Sequence, residues 1–153
     1  MAIAIHRGAI DNTTVTQRPP NEVMTQIRGI LDSIGICVQP ESNFRFRCIR
    51  PSQSSYASEV SHGANEPVCI PLIKSLQTLT VYLSQVTAEA TASTIYAKNT
   101  SRDPAGEVRF SVELTRLSGL SDTYSLDIRR LKGNLRSYQF LYETIREYVS
   151  SMS

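Results

Sequence analysis

The chain has 153 residues, of which 41% are hydrophobic, and its formal net charge is only +2. This length corresponds to about one domain with one core, and so small a charge excludes a global attraction to nucleic acid. The cysteines lack close spacing, which argues against a disulfide framework and a zinc site and favours cytosolic exposure. No apolar run approaches the roughly 20 residues that span a bilayer, and no signal-peptide layout is present, so any membrane role is expected to be peripheral.

The first clear helix lies within RPPNEVMTQIRGILDSIG, residues 18–35. Pro20 suits the first helical position, and Glu22 complements the helix dipole in the first turn. Gly35 stands where a helix ends. The preceding residues 1–11 form either a first strand or a connecting arm. An apolar stripe at helical spacing is predicted to face the core and consists of Val23, Met24, Ile27, Ile30, Leu31 and Ile34.

A hairpin is predicted in residues 36–51. Apolar residues alternate on both sides of the turn sequence PESN, as half-buried strands require. Arg45 and Arg47 fall between the apolar positions, so they are expected to face away from the core. The alternating apolar residues are Ile36, Val38, Phe44, Phe46 and Cys48.

The regular spacing of apolar residues is lost at about residues 51–106. The stretch SQSSYASEVSHGANEP is small, polar and low in complexity, and a packed domain rarely holds so long a loop. We therefore expect a long flexible insertion within a single domain spanning 1–153. Inside it, VCIPLIKSLQTLTVYLSQV is apolar enough to form either a strand or a short helix.

The C-terminal third predicts two antiparallel strands and a closing helix. Asn134 is placed to cap that helix, NLRSYQFLYETIREYVSS. Together the elements predict an α+β fold, in which two helices pack on one face of an antiparallel sheet of four to five strands. The core-facing strand residues are Val108, Phe110, Val112 and Leu114, followed by Tyr124, Leu126 and Ile128.

No pattern of catalytic residues is present. His6 and His62 lack patterned partners and are expected to be ordinary surface residues. No Ser/His/Asp arrangement, Gly-rich phosphate loop or spaced pair of acids occurs, so neither catalytic residues nor a metal or cofactor site is predicted. Tyr138, Tyr142 and Tyr148 fit core and rim packing better than base stacking, which again excludes nucleic acid as a partner.

Two short basic clusters remain. RFRCIR holds three arginines, and RRLK is followed one turn later by Arg136. Each cluster alone fits an ordinary solvated face. If the fold brings them together, they form one patch suited to anionic head groups, phosphopeptides or acidic partner surfaces. The predicted lipid-binding residues are Arg45, Arg47, Arg50, Arg129, Arg130, Lys132 and Arg136.

Two blocks of the chain, 13–50 and 108–145, resemble a known family. The first has a short threonine-rich strand, a Pro-led helix and a strand with a cysteine near its end. The second has a strand closing on basic-basic-apolar-x-Gly and a helix that starts with an aromatic residue. These patterns are similar to the kinase-associated-1 domain of microtubule-affinity-regulating and related fungal Ser/Thr protein kinases. The matching residues of the second block are Arg129, Arg130, Leu131, Gly133, Tyr138, Leu141 and Ile145.

The resemblance implies a non-catalytic regulatory domain. Such domains dock on acidic phospholipids such as phosphatidylserine and can restrain their own kinase domain. It also implies a cytoplasmic protein, peripheral at the plasma membrane or cell cortex. Arg129 and Arg130 carry over from the family pattern, whereas the other five basic residues are inferred from strand and helix geometry.

Two alternatives stay open at this point. A similar fold closes the catalytic subunit of AMP-activated kinase, where it docks partner subunits, but the residues predicted to face outward here are polar. That polarity favours lipid binding or a transient kinase contact over an obligate subunit interface. A small enzyme of unknown type is the least favoured reading.

Overall fold

The computed structural model describes residues 2–54 and 95–151. Within these ranges the chain forms a 3₁₀ turn (Asn12–Thr14) and then seven regular elements. In chain order they are strand β1 (Val15–Thr16), helix α1 (Pro20–Ser33), strands β2 (Cys37–Ser42), β3 (Arg45–Arg50), β4 (Val108–Arg116) and β5 (Tyr124–Lys132), and helix α2 (Leu135–Ser150).

The five strands form one antiparallel sheet in the order β1-β5-β4-β3-β2. Strand β4 carries the core, because its alternate residues Val108, Phe110, Val112 and Leu114 are fully buried. These side chains share one hydrophobic cluster with residues of both helices, so the helices cover the same face of the sheet. The predicted α+β class, with two helices on one face of an antiparallel sheet, is confirmed.

Helix α1 begins and ends where the sequence predicts. Pro20 is its first residue, and Glu22 lies in its first turn. The predicted apolar stripe is buried at Val23, Met24, Ile27 and Leu31. Beyond the helix, Gly35 adopts a φ of +85°, the left-handed conformation that glycine reaches without strain.

The N-terminal residues form a connecting arm that holds one strand contact. Ile5 makes a single parallel bridge to Arg116 at the end of β4. Asp11 then accepts a hydrogen bond from the Tyr142 hydroxyl, 2.6 Å away on α2. The arm is thereby joined to both the sheet and the closing helix.

The Tyr138 hydroxyl binds the outer edge of β5. Strand β1 pairs only with Tyr124 and Ser125, which leaves the rest of that edge of β5 without a partner strand among the described residues. The Tyr138 hydroxyl donates a 2.9 Å hydrogen bond to the Ile128 carbonyl at this edge. Tyr138 and Tyr142 also pack against the core, as the sequence predicts. Covering an open edge reduces the risk that another strand pairs with it.

Most of the predicted insertion, including its strand-or-helix segment, lies outside the described residues. Its two described ends, 51–54 and 95–106, lack regular strands but are packed rather than loose. Ile95 and Tyr96 are buried in the core. The Tyr96 hydroxyl donates to the Pro51 carbonyl at 2.6 Å, so the two ends of the segment meet.

Candidate lipid-binding site

A β-bulge shapes the end of β5. Arg109 pairs with Lys132 and Phe110 pairs with Arg130, so Leu131 is an extra residue in β5. Paired residues point to the same side of a sheet. Lys132 therefore lies on the outer, helix-free face, and Arg130 leaves the strand on the other side. We call residues 130–136 the β5–α2 corner.

Gly133 makes this corner possible. Its φ is +111°, and a Cβ built there would lie 2.5 Å from the Glu107 carbonyl oxygen and 3.0 Å from the Val108 Cα. Only glycine fits so close an approach to the start of β4. Asn134 then caps α2, because its side chain accepts a 2.8 Å hydrogen bond from the Arg136 backbone N–H.

Three cations of the corner are exposed and lack a carboxylate partner within the described ranges. Arg130 donates to the Gly133 carbonyl at 2.8 Å, and Arg136 donates to the Ser101 carbonyl at 3.2 Å. Neither residue, nor Lys132, takes part in an ion pair of the described chain. Three positive charges are thus presented to solvent between residues 130 and 136, at the end of β5 and the start of α2.

Two leucines lie among these cations. Leu131 is 47% exposed and Leu135 is 56% exposed, and neither belongs to the hydrophobic core. The sequence reasoning did not assign them to a surface. The sequence did contain an indication of their exposure, because each leucine adjoins a basic residue near the end of a strand or the start of a helix.

The other basic cluster is differently placed. Arg47 pairs through Ser111 with Arg129 across three strands, so the two arginines share the outer face of the sheet. Arg45 lies on the same face, in the row that contains Glu113. The fold therefore brings part of each cluster to one face, and Arg130 stands apart on the other side.

Acidic residues balance the charges of that outer face. Glu41 lies 2.8 Å from Arg45 Nε and 2.6 Å from Arg47. Asp127 lies 2.9 Å from Arg129. We call this set of paired residues the sheet-face network. Because each arginine has a nearby carboxylate, this face offers less net attraction to an anion than the corner does.

Arg50 does not belong to any binding surface. Its side chain is fully buried, where it binds Asp103 through two hydrogen bonds of 2.8 and 3.1 Å. It also donates to the carbonyls of Ile95 and Gly106 and stacks 4.7 Å from the Tyr96 ring centroid. A buried, paired guanidinium cannot reach a head group, so the prediction for Arg50 is wrong. The alternation of side chains along β3 already indicated this burial. Arg50 is two residues after Cys48 and four after Phe46, so it points to the same, inward side of the strand.

Asp103 is ionised in its buried site. Burial raises its pKa, but hydrogen bonds from Arg50 and Ser137 and from two backbone N–H groups outweigh burial and lower the pKa to about 2. The two backbone donors belong to Ala105 and Ala97. The charged carboxylate of Asp103 and the guanidinium of Arg50 therefore compensate each other inside the protein. Because both groups are buried and hydrogen-bonded, we assign the pair a structural role.

Of the two histidines considered in the sequence, the structure describes only His6. His6 Nδ1 lies 2.9 Å from the Thr115 hydroxyl of β4, and its Nε2 lies 3.2 Å from the nearby Ala9 carbonyl, so both ring nitrogens contact groups within the protein. His62 falls outside the described residues. Among the residues that the structure describes, no three His, Cys, Asp or Glu side chains gather to hold a metal. Neither helix there has the length and apolar character needed to cross a membrane.

An antiparallel sheet covered by two helices on one face, with an exposed basic corner, is the arrangement that the described residues form. Residues 106–147 match the family model described as Kinase associated domain 1. This match confirms, over residues 106–147, the resemblance to the kinase-associated-1 domain, a non-catalytic regulatory domain, that the sequence led us to expect. The match includes β4, β5 and the whole corner. A search of curated proteins returns no match.

Proposed function

We propose that this regulatory domain binds anionic phospholipid membranes, phosphatidylserine among them, through the β5–α2 corner. The observation that carries the proposal is the set of three exposed cations, Arg130, Lys132 and Arg136, without a carboxylate partner among the described residues. A basic residue near an anionic leaflet contributes about 1 kcal/mol, so three of them strengthen binding by roughly 100-fold.

The sheet-face network has a lesser part in this proposal. Arg129 is 65% exposed beside the corner, but its guanidinium faces Asp127. Arg45 and Arg47 share Glu41, so head groups would have to compete with that carboxylate for them. The proposed lipid site is therefore narrower than the seven residues predicted from the sequence.

The proposal places the protein in the cytoplasm, peripheral at the plasma membrane or cell cortex, as part of a Ser/Thr protein kinase.

Full-length protein should sediment with vesicles of phosphatidylcholine and phosphatidylserine, and not with phosphatidylcholine alone. Raising the salt from 0.1 to 1 M shortens the Debye length from about 10 to 3 Å and should weaken binding strongly. Equal binding to neutral vesicles would reject the proposal.

A second candidate is autoinhibition, in which the domain docks on its own kinase domain through the sheet-face network. The supporting observation is a sheet face with rows of paired charges, such as Arg45 beside Glu113 at 3.8 Å. Such polar faces suit transient contacts better than obligate subunit interfaces, which disfavours the role of an AMP-activated-kinase subunit dock. Adding the isolated protein to the kinase should lower its activity. Unchanged activity at saturating protein would count against this candidate.

A further inference from the structure

The corner combines charge with exposed apolar surface. Leu131 projects from the bulge of β5, and Leu135 is the first residue of α2. Only Lys132, Gly133 and Asn134 separate them in the chain. Both leucines are about half exposed. A single exposed leucine is ordinary, but two so near each other in the chain offer a small apolar surface to a partner.

The neighbouring charges decide what kind of partner fits these leucines. Arg130 and Lys132 flank Leu131, and Arg136 follows Leu135. Amphipathic segments at a membrane interface place apolar side chains at the acyl boundary and hold Lys and Arg at the level of the head groups. Two half-exposed leucines offer far less area than the roughly 800 Å² per partner of a stable protein interface. The occupant that matches this corner is thus an anionic lipid surface.

We infer that Leu131 and Leu135 insert into the acyl boundary when the corner binds an anionic membrane. This inference rests on the proposed function and adds a salt-resistant, apolar component to an otherwise electrostatic contact. Transfer of the exposed part of each leucine from water should strengthen binding about fivefold. Leu131→Asn and Leu135→Asn should each weaken vesicle binding by about that factor, even at 1 M salt.

Tryptophan fluorescence tests the insertion directly, because the chain contains no tryptophan. Leu131→Trp and Leu135→Trp each introduce a single reporter at the corner of the full-length protein. Leu120→Trp is the matched control, since Leu120 is 55% exposed in the turn at the opposite end of β5. Vesicles would contain phosphatidylserine and phosphatidylcholine, with or without brominated acyl chains.

The inference predicts a blue shift and quenching by brominated chains for both corner variants, and neither effect for Leu120→Trp. Vesicle binding with unquenched corner reporters would overturn insertion and leave the electrostatic proposal standing. Equal quenching at all three positions would overturn the assignment of insertion to the corner. No binding to anionic vesicles by the unsubstituted protein would overturn both proposals. Urea unfolding of each variant confirms that the reporters sit in folded protein.

Discussion

Arg50 and Asp103 lie 53 residues apart in the chain and form a fully buried, bidentate ion pair. Arg50 ends β3, where the long insertion begins, and Asp103 lies just before β4, where the chain returns. The Ser137 hydroxyl of α2 also donates to the Asp103 carboxylate. The pair therefore fastens both ends of the insertion to the sheet and to the closing helix.

Loss of one partner of this pair should be costly. Asp103→Asn leaves the Arg50 charge buried without its counter-ion, and such changes destabilise proteins by about 3–5 kcal/mol. The free energy of unfolding in urea measures the effect. Glu143→Gln is the control, because it removes an ion pair to Arg102 of similar length, 3.1 Å, but on the surface. The control should cost about 1 kcal/mol or less. Similar losses for both variants would contradict a structural role for the buried pair.

Acid should selectively remove the contribution of Asp103. An unfolded aspartate has a pKa of about 3.9, whereas hydrogen bonds in the folded protein lower the pKa of Asp103 to about 2. Between these values the unfolded chain binds more protons, so stability rises with pH. The stabilisation is fully present above about pH 4 and is lost as the pH falls through about 2.

The measurement is the difference in free energy of unfolding between the unsubstituted protein and Asp103→Asn, followed from pH 5 to pH 2. We expect the difference to shrink toward acid pH. Asp11 also has a pKa lowered to about 2, chiefly by a hydrogen bond from the Thr13 side chain, but it titrates in both proteins and cancels. A difference that stays constant over this range would show that the Asp103 pKa is not lowered.

Gly133 should tolerate no side chain. Gly133→Ala sets a Cβ against the Glu107 carbonyl at a positive φ, so both the clash and the backbone strain destabilise the corner, by more than about 1 kcal/mol. Gly29→Ala is the matched control, because nothing lies within 4 Å of its Cβ position inside α1. That change should stabilise the protein by up to about 1 kcal/mol. Thermal unfolding would reveal the opposite signs, and equal shifts would refute this account of Gly133.

Local rules predicted much of the fold because the relevant signals lie close together in sequence. Pro20 and Gly35 fixed the ends of α1, and two-residue alternation identified the buried face of β4. At the corner, the glycine after the basic run gave the break between β5 and α2. These features depend on backbone geometry and on neighbours within one or two turns.

Local sequence rules did not predict which acidic residue pairs with each arginine. Arg50 finds Asp103 only after the sheet is assembled, and no spacing in the sequence relates the two. Glu41 reaches both Arg45 and Arg47 because it lies at the register shift of β2, opposite this part of β3. Sequence reasoning counted these arginines as free cations, and so it placed the basic patch over too broad an area.

We attribute membrane binding to the exposed cations of the corner, which have no carboxylate partner among the described residues, rather than to basic residues in general. The most direct test is cosedimentation with phosphatidylserine-containing vesicles for two triple variants of equal net charge. The corner variant combines Arg130→Gln, Lys132→Gln and Arg136→Gln. The sheet-face variant combines Arg45→Gln, Arg47→Gln and Arg129→Gln.

Both variants lose three positive charges, so a general electrostatic attraction would weaken equally in each. The account predicts roughly 100-fold weaker binding for the corner variant and at most a severalfold change for the sheet-face variant. Equal losses, or a larger loss for the sheet-face variant, would contradict it.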